Sequence, residues 1–456
     1  MTVLAFLLAL GVLITVHEWG HYRVAVACGV KVLTFSIGFG KPLWRWKSRT
    51  PHAGQDTEFC ISLIPLGGYV TMLDEQAGEV SAQDAPMAFN RQPLWARAAI
   101  VSAGPVANLL LAVCLFAVNF WVGQYETQAT LAAPVAGSIA EAAGLRSGDT
   151  VRRAGTSADD LQEVVSLEAL RWQLLEQDTA SLYLEVQPQD KQTLRLVSLP
   201  ALAPDAVAKG STAWQAWGLT GAWSRAVLGD VQKGRPAEMA GLQRGDEVLR
   251  INGQVVNDAS ALRAHVRASG QHQQPLMQTW LISREGRLLH IDVTPERVPD
   301  GSQYMGRIGA QVGEPPAKVW VQFGVFDGLG QAAIKTREVI DLTLDMLWRL
   351  LTGRASLDNL SGPLTMADYA GRSASSGLGA YLSYLALVSV SLGVFNLLPL
   401  PMLDGGHLLY YLYEACTGRP PSPAWLDALQ RVGLFILVSL MVFSLFNDVV
   451  RLGWLP

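Results

Sequence analysis

Apolar positions along the chain gather into four long runs separated by polar or mixed stretches. The first, Val3 to Val16, is shorter than the roughly 20 residues that cross a bilayer. Its helical pattern continues through His17, Glu18 and His21 to about Ala27. A cleaved leader is the alternative, and the missing basic flank and small-x-small site argue against it. Ala98 to Val122, interrupted by Gly104, Pro105 and Asn108, is the second run. Ala380 to Leu398 is the third, and Val432 to Phe446, extended back to about Ala428, is the fourth. The stretch 334–352 instead mixes apolar positions with Lys335, Arg337, Glu338, Asp341, Asp345 and Arg349, which predicts an interfacial helix. The pattern predicts a multi-pass α-helical membrane protein with four transmembrane helices.

Composition agrees with that reading. Only 16% of the 456 residues are charged and mean hydropathy is +0.23, against about 25% charged in soluble chains. The net charge of −4 and the lack of a basic cluster interleaved with aromatics exclude nucleic acid as the expected partner. Cys28, Cys60, Cys114 and Cys416 have no Cys-x-x-Cys spacing, so neither a thiolate metal site nor a disulfide framework is expected. Arg23, Lys31, Lys41, Arg45, Lys47 and Arg49 crowd a stretch without acids, the signature of a cytoplasmic loop. Four spans then place the long 125–380 segment outside the cytoplasm.

That segment repeats itself. Gly137 to Asp149 and Gly234 to Asp246 are identical at eight of 13 positions. Each reads as a short helix, a Gly-Leu stop and a Gly-Asp turn into a strand. The pattern resembles PDZ domains of bacterial proteases, which implies two extracytoplasmic α+β domains. They either capture peptide ends at a sheet edge or serve as rigid spacers.

His17-Glu-Trp-Gly-His21 is an H-E-x-x-H motif. Residues i and i+4 share a helix face, so both imidazoles reach one ion, with Glu18 beside them to take a proton from water. Ionisable groups at membrane depth are costly and usually functional. A third protein ligand is sought in another membrane segment. Asn396-Leu-Leu-Pro399-Leu-Pro401-Met-Leu-Asp404-Gly-Gly-His407 cannot continue a helix through its prolines, so an extended cavity wall is expected there. Asp404 and His407 are both candidates for that ligand, and His407 is alternatively a partner behind it.

These residues resemble the site-2 intramembrane metalloproteases, specifically the bacterial members with a tandem PDZ insert. Phe35 to Gly40, Pro65 to Val70, Gly104-Pro105, Asn108 and Asn359 to Pro363 also match, so the resemblance covers essentially the whole chain. It implies Zn2+ held by His17, His21 and Asp404, and Glu18 as general base. It implies that Asn396, Pro399 and Pro401 contact substrate or steady the site. It also implies that strands around Ile61–Met72 form a membrane-associated β element that pairs with an unwound substrate through Gly67, Gly68 and Tyr69. A plain turn is the other reading of Gly67-Gly68. Ser391 departs from the group, which commonly carries asparagine there. The implied substrates are single-span membrane proteins: an anti-sigma factor already trimmed outside, in an envelope stress response, and remnant signal peptides. The implied address is the bacterial inner membrane with the PDZ pair periplasmic. A PDZ-bearing scaffold with a non-catalytic zinc site and a transporter are the rival classes.

The expected organisation is a first transmembrane helix over 1–27, a cytoplasmic-side loop with the β element over 28–97, and a second transmembrane helix over 98–123. PDZ domains follow over 125–210 and 215–300, then interfacial helices over 320–378. A third transmembrane helix with the candidate ligand segment spans 380–406, and a fourth spans 427–447.

Overall fold

Thr2–Ala27 forms one unbroken helix, α1, since no proline interrupts it. The computed structural model describes residues 2–47, 55–75, 78–176, 181–189, 191–202, 213–271, 276–300, 303–352 and 362–451. They form two units, one from 1–124 with 322–456 and one from Tyr125 to Val321.

In the first unit α1 is followed by strands β1 (Val32–Lys47) and β2 (Glu58–Met72) and helix α2 (Leu94–Val122). α2 starts directly after Pro93, earlier than the apolar run suggests, and ends at Gly123, whose φ is 92°. α1 and α2 meet through small residues. A Cβ on Gly20 would lie 2.4 Å from the Ala103 carbonyl oxygen and 2.8 Å from the Ala107 Cβ. Such contacts let membrane helices pack backbone to backbone.

β1 and β2 are each bent into two arms, so two strands make four rows. Arm 68–72 pairs with 32–37, which pairs with 58–61, which pairs in turn with 44–47. Positive φ at Gly38 (93°), Gly40 (87°) and Gly67 (148°) makes the bends. Buried Ser36 fastens one of them through Gly38 O (3.1 Å) and Ser62 Oγ (3.0 Å). Gly67 and Gly68 therefore sit at and beside a bend inside a strand. β1 extends the β element, expected around Ile61–Met72, to Val32–Lys47 within the same 28–97 region; its Phe35, Ile37, Phe39 alternation marks a strand. Leu43, Trp44, Leu63 and Ile64 are exposed on the element.

The second unit holds two similarly built modules and opens with the short strand β3 (Gln124–Thr127). The first module contains β4 (Thr150–Ser157), β5 (Asp160–Glu163), helix α3 (Leu167–Glu176), β6 (Leu182–Gln187) and β7 (Arg195–Leu199), with sheet order β5-β4-β6-β7. The second contains β8 (Leu228–Val231), β9 (Glu247–Ile251), β10 (Gln254–Val255), helix α4 (Ala259–Ser269), β11 (Gln278–Arg284) and β12 (Arg287–Val293), with sheet order β10-β9-β11-β12.

The repeat carries the same contacts in both modules. Buried Asp149 accepts from Arg146 N and Arg195, as buried Asp246 does from Gln243 N and Arg284. Arg195 and Arg284 also donate to Gly144 O and Gly241 O, the helix-stop glycines. Glu141 and Glu238 take the Gly137 and Gly234 amides, each at 2.6 Å. β4 bulges at Arg152 and β9 at Leu249. Asp258 ties the modules together. Its carboxylate caps α4 through Ala261 N (2.8 Å) and also accepts from Ala133 N and Ser147 Oγ of the first module. Cores form around Leu170, Leu182 and Leu184 in one module and Trp280, Ile282 and Leu262 in the other. The unit closes with the hairpin β13 (Glu296–Asp300) and β14 (Gln303–Arg307), then β15 (Ala310–Val312) on β8 and β16 (Lys318–Val321) on β3.

Back in the first unit, α5 (Val325–Leu351) is amphipathic and longer than the 334–352 pattern indicated. α6 (Pro363–Ser375), α7 (Leu378–Asn396), α8 (Asp404–Thr417) and α9 (Pro423–Arg451) complete the chain. Among the described residues four helices are long and apolar enough to cross a membrane: α1, α2, α7 and Ala424–Val449 of α9. Asn359, Leu360, Ser361 and Arg49, singled out in the sequence, lie outside the described residues.

α7 stops at Asn396, short of the 380–406 span. The segment 397–403 is not extended, as Pro399 and Pro401 suggested, but coiled into tight turns. Leu400 N donates to Leu398 O (2.7 Å), Leu403 N donates to Leu400 O (3.2 Å), and Met402 has φ 82°. A Cβ on Gly405 would come within 2.2 Å of Leu398 O, and one on Gly406 within 2.4 Å of Leu400 O. The glycine pair therefore lets the turns fold back on the start of α8. α9 touches the same turns at Gly433, whose Cβ would lie 2.6 Å from Pro401 O. Near its far end buried Asp448 accepts from the backbone amides of Gly362 (2.9 Å), Leu364 (2.9 Å) and Thr365 (3.1 Å) and from the Thr365 hydroxyl.

Candidate metal centre

α1 brings His17 and His21 onto one face, and the turns after α7 deliver Asp404, the first residue of α8, to that face. His17 Nε2 lies 3.2 Å from His21 Nε2 and 3.2 Å from Asp404 Oδ2, which is 3.6 Å from His21 Nε2. Ligands about 2.0–2.1 Å from a tetrahedral ion stand roughly 3.3–3.4 Å from one another, so the three atoms fit three corners around one ion. Asp404 Oδ2 is buried and makes no directed hydrogen bond among the described residues, as an oxygen reserved for a cation would. The donor set, two imidazoles and one carboxylate, suits zinc and leaves a corner for water or substrate. His407 lines the same cavity, with its ring 5.8 Å from that of Tyr410, and lies outside the three-donor group.

α2 supplies the floor. A Cβ on Gly104 would stand 2.2 Å from His21 Nε2 and 2.8 Å from His17 Cε1, so only glycine leaves room for these rings. Behind them, His21 Nδ1 is 2.8 Å from Ile100 O and His17 Nδ1 is 3.1 Å from the side-chain amide of Asn108, which is fully buried. Ser389 of α7 donates to Asn108 O (2.7 Å) and fixes the backbone there.

Glu18 faces the cavity beside the two histidines. The cavity holds about 580 Å³, and the edge arm Gly68–Met72 forms one wall. Gly68 brings that arm against α1: a Cβ there would lie 2.9 Å from Glu18 Cγ. Asn396, His407 and Tyr411 also line the cavity. Burial pushes the Tyr411 phenol up to about 12, so it serves as a neutral hydrogen-bonding group. Arg97 at the start of α2 forks onto Glu414 (2.7 and 3.2 Å) and stacks 5.1 Å over Tyr411, fixing α8 against α2.

The structure thus brings His17, Glu18, His21, Asp404, Asn396, Gly68 and Tyr69 to one cavity. Pro399, Pro401 and Gly67 do not line it. The prolines shape the turns that deliver Asp404, and Gly67 makes the bend that aims the edge arm. Ser391 is half-buried and donates to Leu387 O of its own helix. Sequence reasoning gave no role to Ile100, Tyr411 or the Arg97–Glu414 pair, and treated Gly104 and Asn108 as family matches alone. A lone asparagine and a Gly-Pro pair inside an apolar run were the available signal.

The pattern of peptidase family M50 matches residues 5–440. A zinc metalloprotease of Ralstonia nicotianae is 39% identical over 466 residues, covering 99% of each chain. The regulator of sigma-E protease RseP of Escherichia coli is 39% identical over 459 residues, covering 98% of each. Protease RseP of Yersinia pestis is 38% identical over 468 residues with the same coverage.

Proposed function

We propose, for a chain that belongs to peptidase family M50 and is a zinc metalloprotease, that it cuts single-span membrane proteins inside the bilayer, with zinc on His17, His21 and Asp404. The observation that carries this is the close triangle of donor atoms on helices of an apolar bundle, with Glu18 beside it. Held by His17, His21 and Asp404, zinc would supply Lewis acidity for the scissile carbonyl and would lower the pKa of water so that hydroxide is available at neutral pH.

The chain's own residues do the rest. Glu18 takes the proton of the attacking water and later returns it to the leaving amine. Asn396 supplies an amide donor towards the carbonyl oxygen as negative charge develops on it. A helical substrate hides its carbonyls in i to i−4 bonds and must unwind first. The edge arm Gly68–Met72 offers free backbone groups to the strand so formed, as sheet edges do for peptides. Substrates with helix-breaking residues near the cut are expected to be preferred. The exposed Trp44, Leu43, Leu63 and Ile64 suit contact with lipid.

Relatives named as regulators of sigma-E support a membrane-spanning anti-sigma factor as one substrate, with remnant signal peptides as another. The two modules of the second unit are read as PDZ domains. We read them as lying on the periplasmic side of the inner membrane, a reading that the acid-free basic stretch after α1 supports. There they bind peptide ends or exclude substrates with bulky outer domains.

Two experiments test the proposal. A single-span reporter mixed with the purified protein in detergent should be cut, chelation should stop the cutting, and added zinc should restore it. Cutting that survives chelation sinks the metal assignment. Deleting residues 130–300 should allow cleavage of a reporter that keeps its outer domain. If cleavage still waits for trimming, the modules are not a filter.

A further inference from the structure

We infer that Asn108 sets the proton position on His17, its side-chain oxygen accepting from Nδ1–H so that Nε2 is left free for zinc. This rests on the metal reading above. Both Nε2 atoms turn towards Asp404 Oδ2, at 3.2 and 3.6 Å, which makes Nε2 the ligating nitrogen of each ring. An imidazole that offers the Nε2 lone pair carries its proton on Nδ1, and that proton needs an acceptor. His21 has one, the Ile100 carbonyl at 2.8 Å. For His17 the group in reach is the amide of Asn108, whose Nδ2 stands 3.1 Å from Nδ1 while Oδ1 is buried with no hydrogen-bond partner among the described residues. An N–H facing an N–H repels.

A half-turn of the amide about its last bond, a broad two-fold torsion, exchanges the two atoms. It sets the stranded oxygen on the imidazole proton. The amide is held in place for this. Asn108 is fully buried, and Ser389 binds its backbone carbonyl at 2.7 Å. The two back-side acceptors thus both come from α2, a backbone carbonyl for one ring and a side-chain carbonyl for the other. Asn108 is a positioning residue and touches neither substrate nor metal.

The test is zinc affinity of the full-length protein in detergent, measured by chelator competition at one pH. The variants are Asn108→Leu, Asn108→Ala and Asn108→Asp. Leucine keeps the shape and removes the acceptor, so zinc should bind about 10- to 100-fold more weakly, and alanine should behave alike. Aspartate is acceptor-only and should hold zinc within a few-fold of wild type. Melting of the chelator-stripped proteins shows which variants fold, and alanine replaces leucine if the latter does not. Wild-type affinity in the leucine or alanine protein overturns the inference, as does an aspartate protein weaker than either. A wild-type protein that takes up no zinc instead overturns the metal reading, and the inference with it.

Discussion

Replacing Glu18 with glutamine is expected to leave zinc bound and slow cleavage by roughly 100- to 10,000-fold, the range for loss of a general acid–base group. The substitution changes one atom type and almost no volume, so the tight approach of Gly68 to Glu18 Cγ survives. The three donor atoms belong to His17, His21 and Asp404, and none is touched. What disappears is a carboxylate able to accept a proton from water and carry it to the departing amine. Zinc content and reporter cleavage, measured on the same preparation, separate the two roles. Full proteolysis with bound zinc would transfer the base role elsewhere, with His407 the next residue to examine in that cavity. Loss of zinc together with activity would make Glu18 part of the metal shell.

The second large effect is expected at a residue with no side chain. Gly104→Ala adds one methyl group, and its carbon would stand 2.2 Å from His21 Nε2 and 2.8 Å from His17 Cε1. Real Cβ atoms do not approach so closely, so a ring or the helix must move. α2 is poorly free to retreat, because Gly20 already packs on the Ala103 backbone and Gly393 of α7 on the Pro105 carbonyl. The rings move instead, and the triangle of donors opens. Zinc should be held more weakly by over the roughly 100-fold that loss of an outer hydrogen bond costs. The apoprotein should melt near the wild-type temperature. Chelator competition reads the first quantity and thermal unfolding the second. Normal zinc affinity in Gly104→Ala would show that the floor of the site yields.

The shared face of His17 and His21 was plain in the sequence, because i and i+4 spacing on a helix fixes it whatever surrounds it. The family was legible too, from motifs at the two ends of the chain. Spacing alone left Asp404 and His407 as rivals, and the family resemblance pointed to Asp404. Three residues apart on α8, they are separated by how the turns 397–403 enter that helix, and Leu398 O, Leu400 O, Gly405 and Gly406 set this through contacts that spacing does not encode. The prolines announced the end of α7 but not the form that replaced it. The β element was expected around Ile61–Met72 alone; β1 carries Lys41, Arg45 and Lys47, and its bends need Gly38 and Gly40 at positive φ. The repeated modules were visible as a pattern. The shared Asp–Arg pairs beneath it needed Arg195 and Arg284, which lie outside the repeated stretch.

Asp448 has a mechanical consequence. Its carboxylate holds three amides and a hydroxyl at the start of α6, near one end of a helix that is otherwise little covered. Sliding α9 lengthwise would strand that charge in hydrocarbon, which is expensive. Swaying the opposite end sideways leaves the latch closed and parts the close fit of Gly433 on Pro401 and the ring contacts of Trp425 with Tyr410 and Tyr413. Piston motion is thereby locked out, and a pivot is the movement left to the last helix.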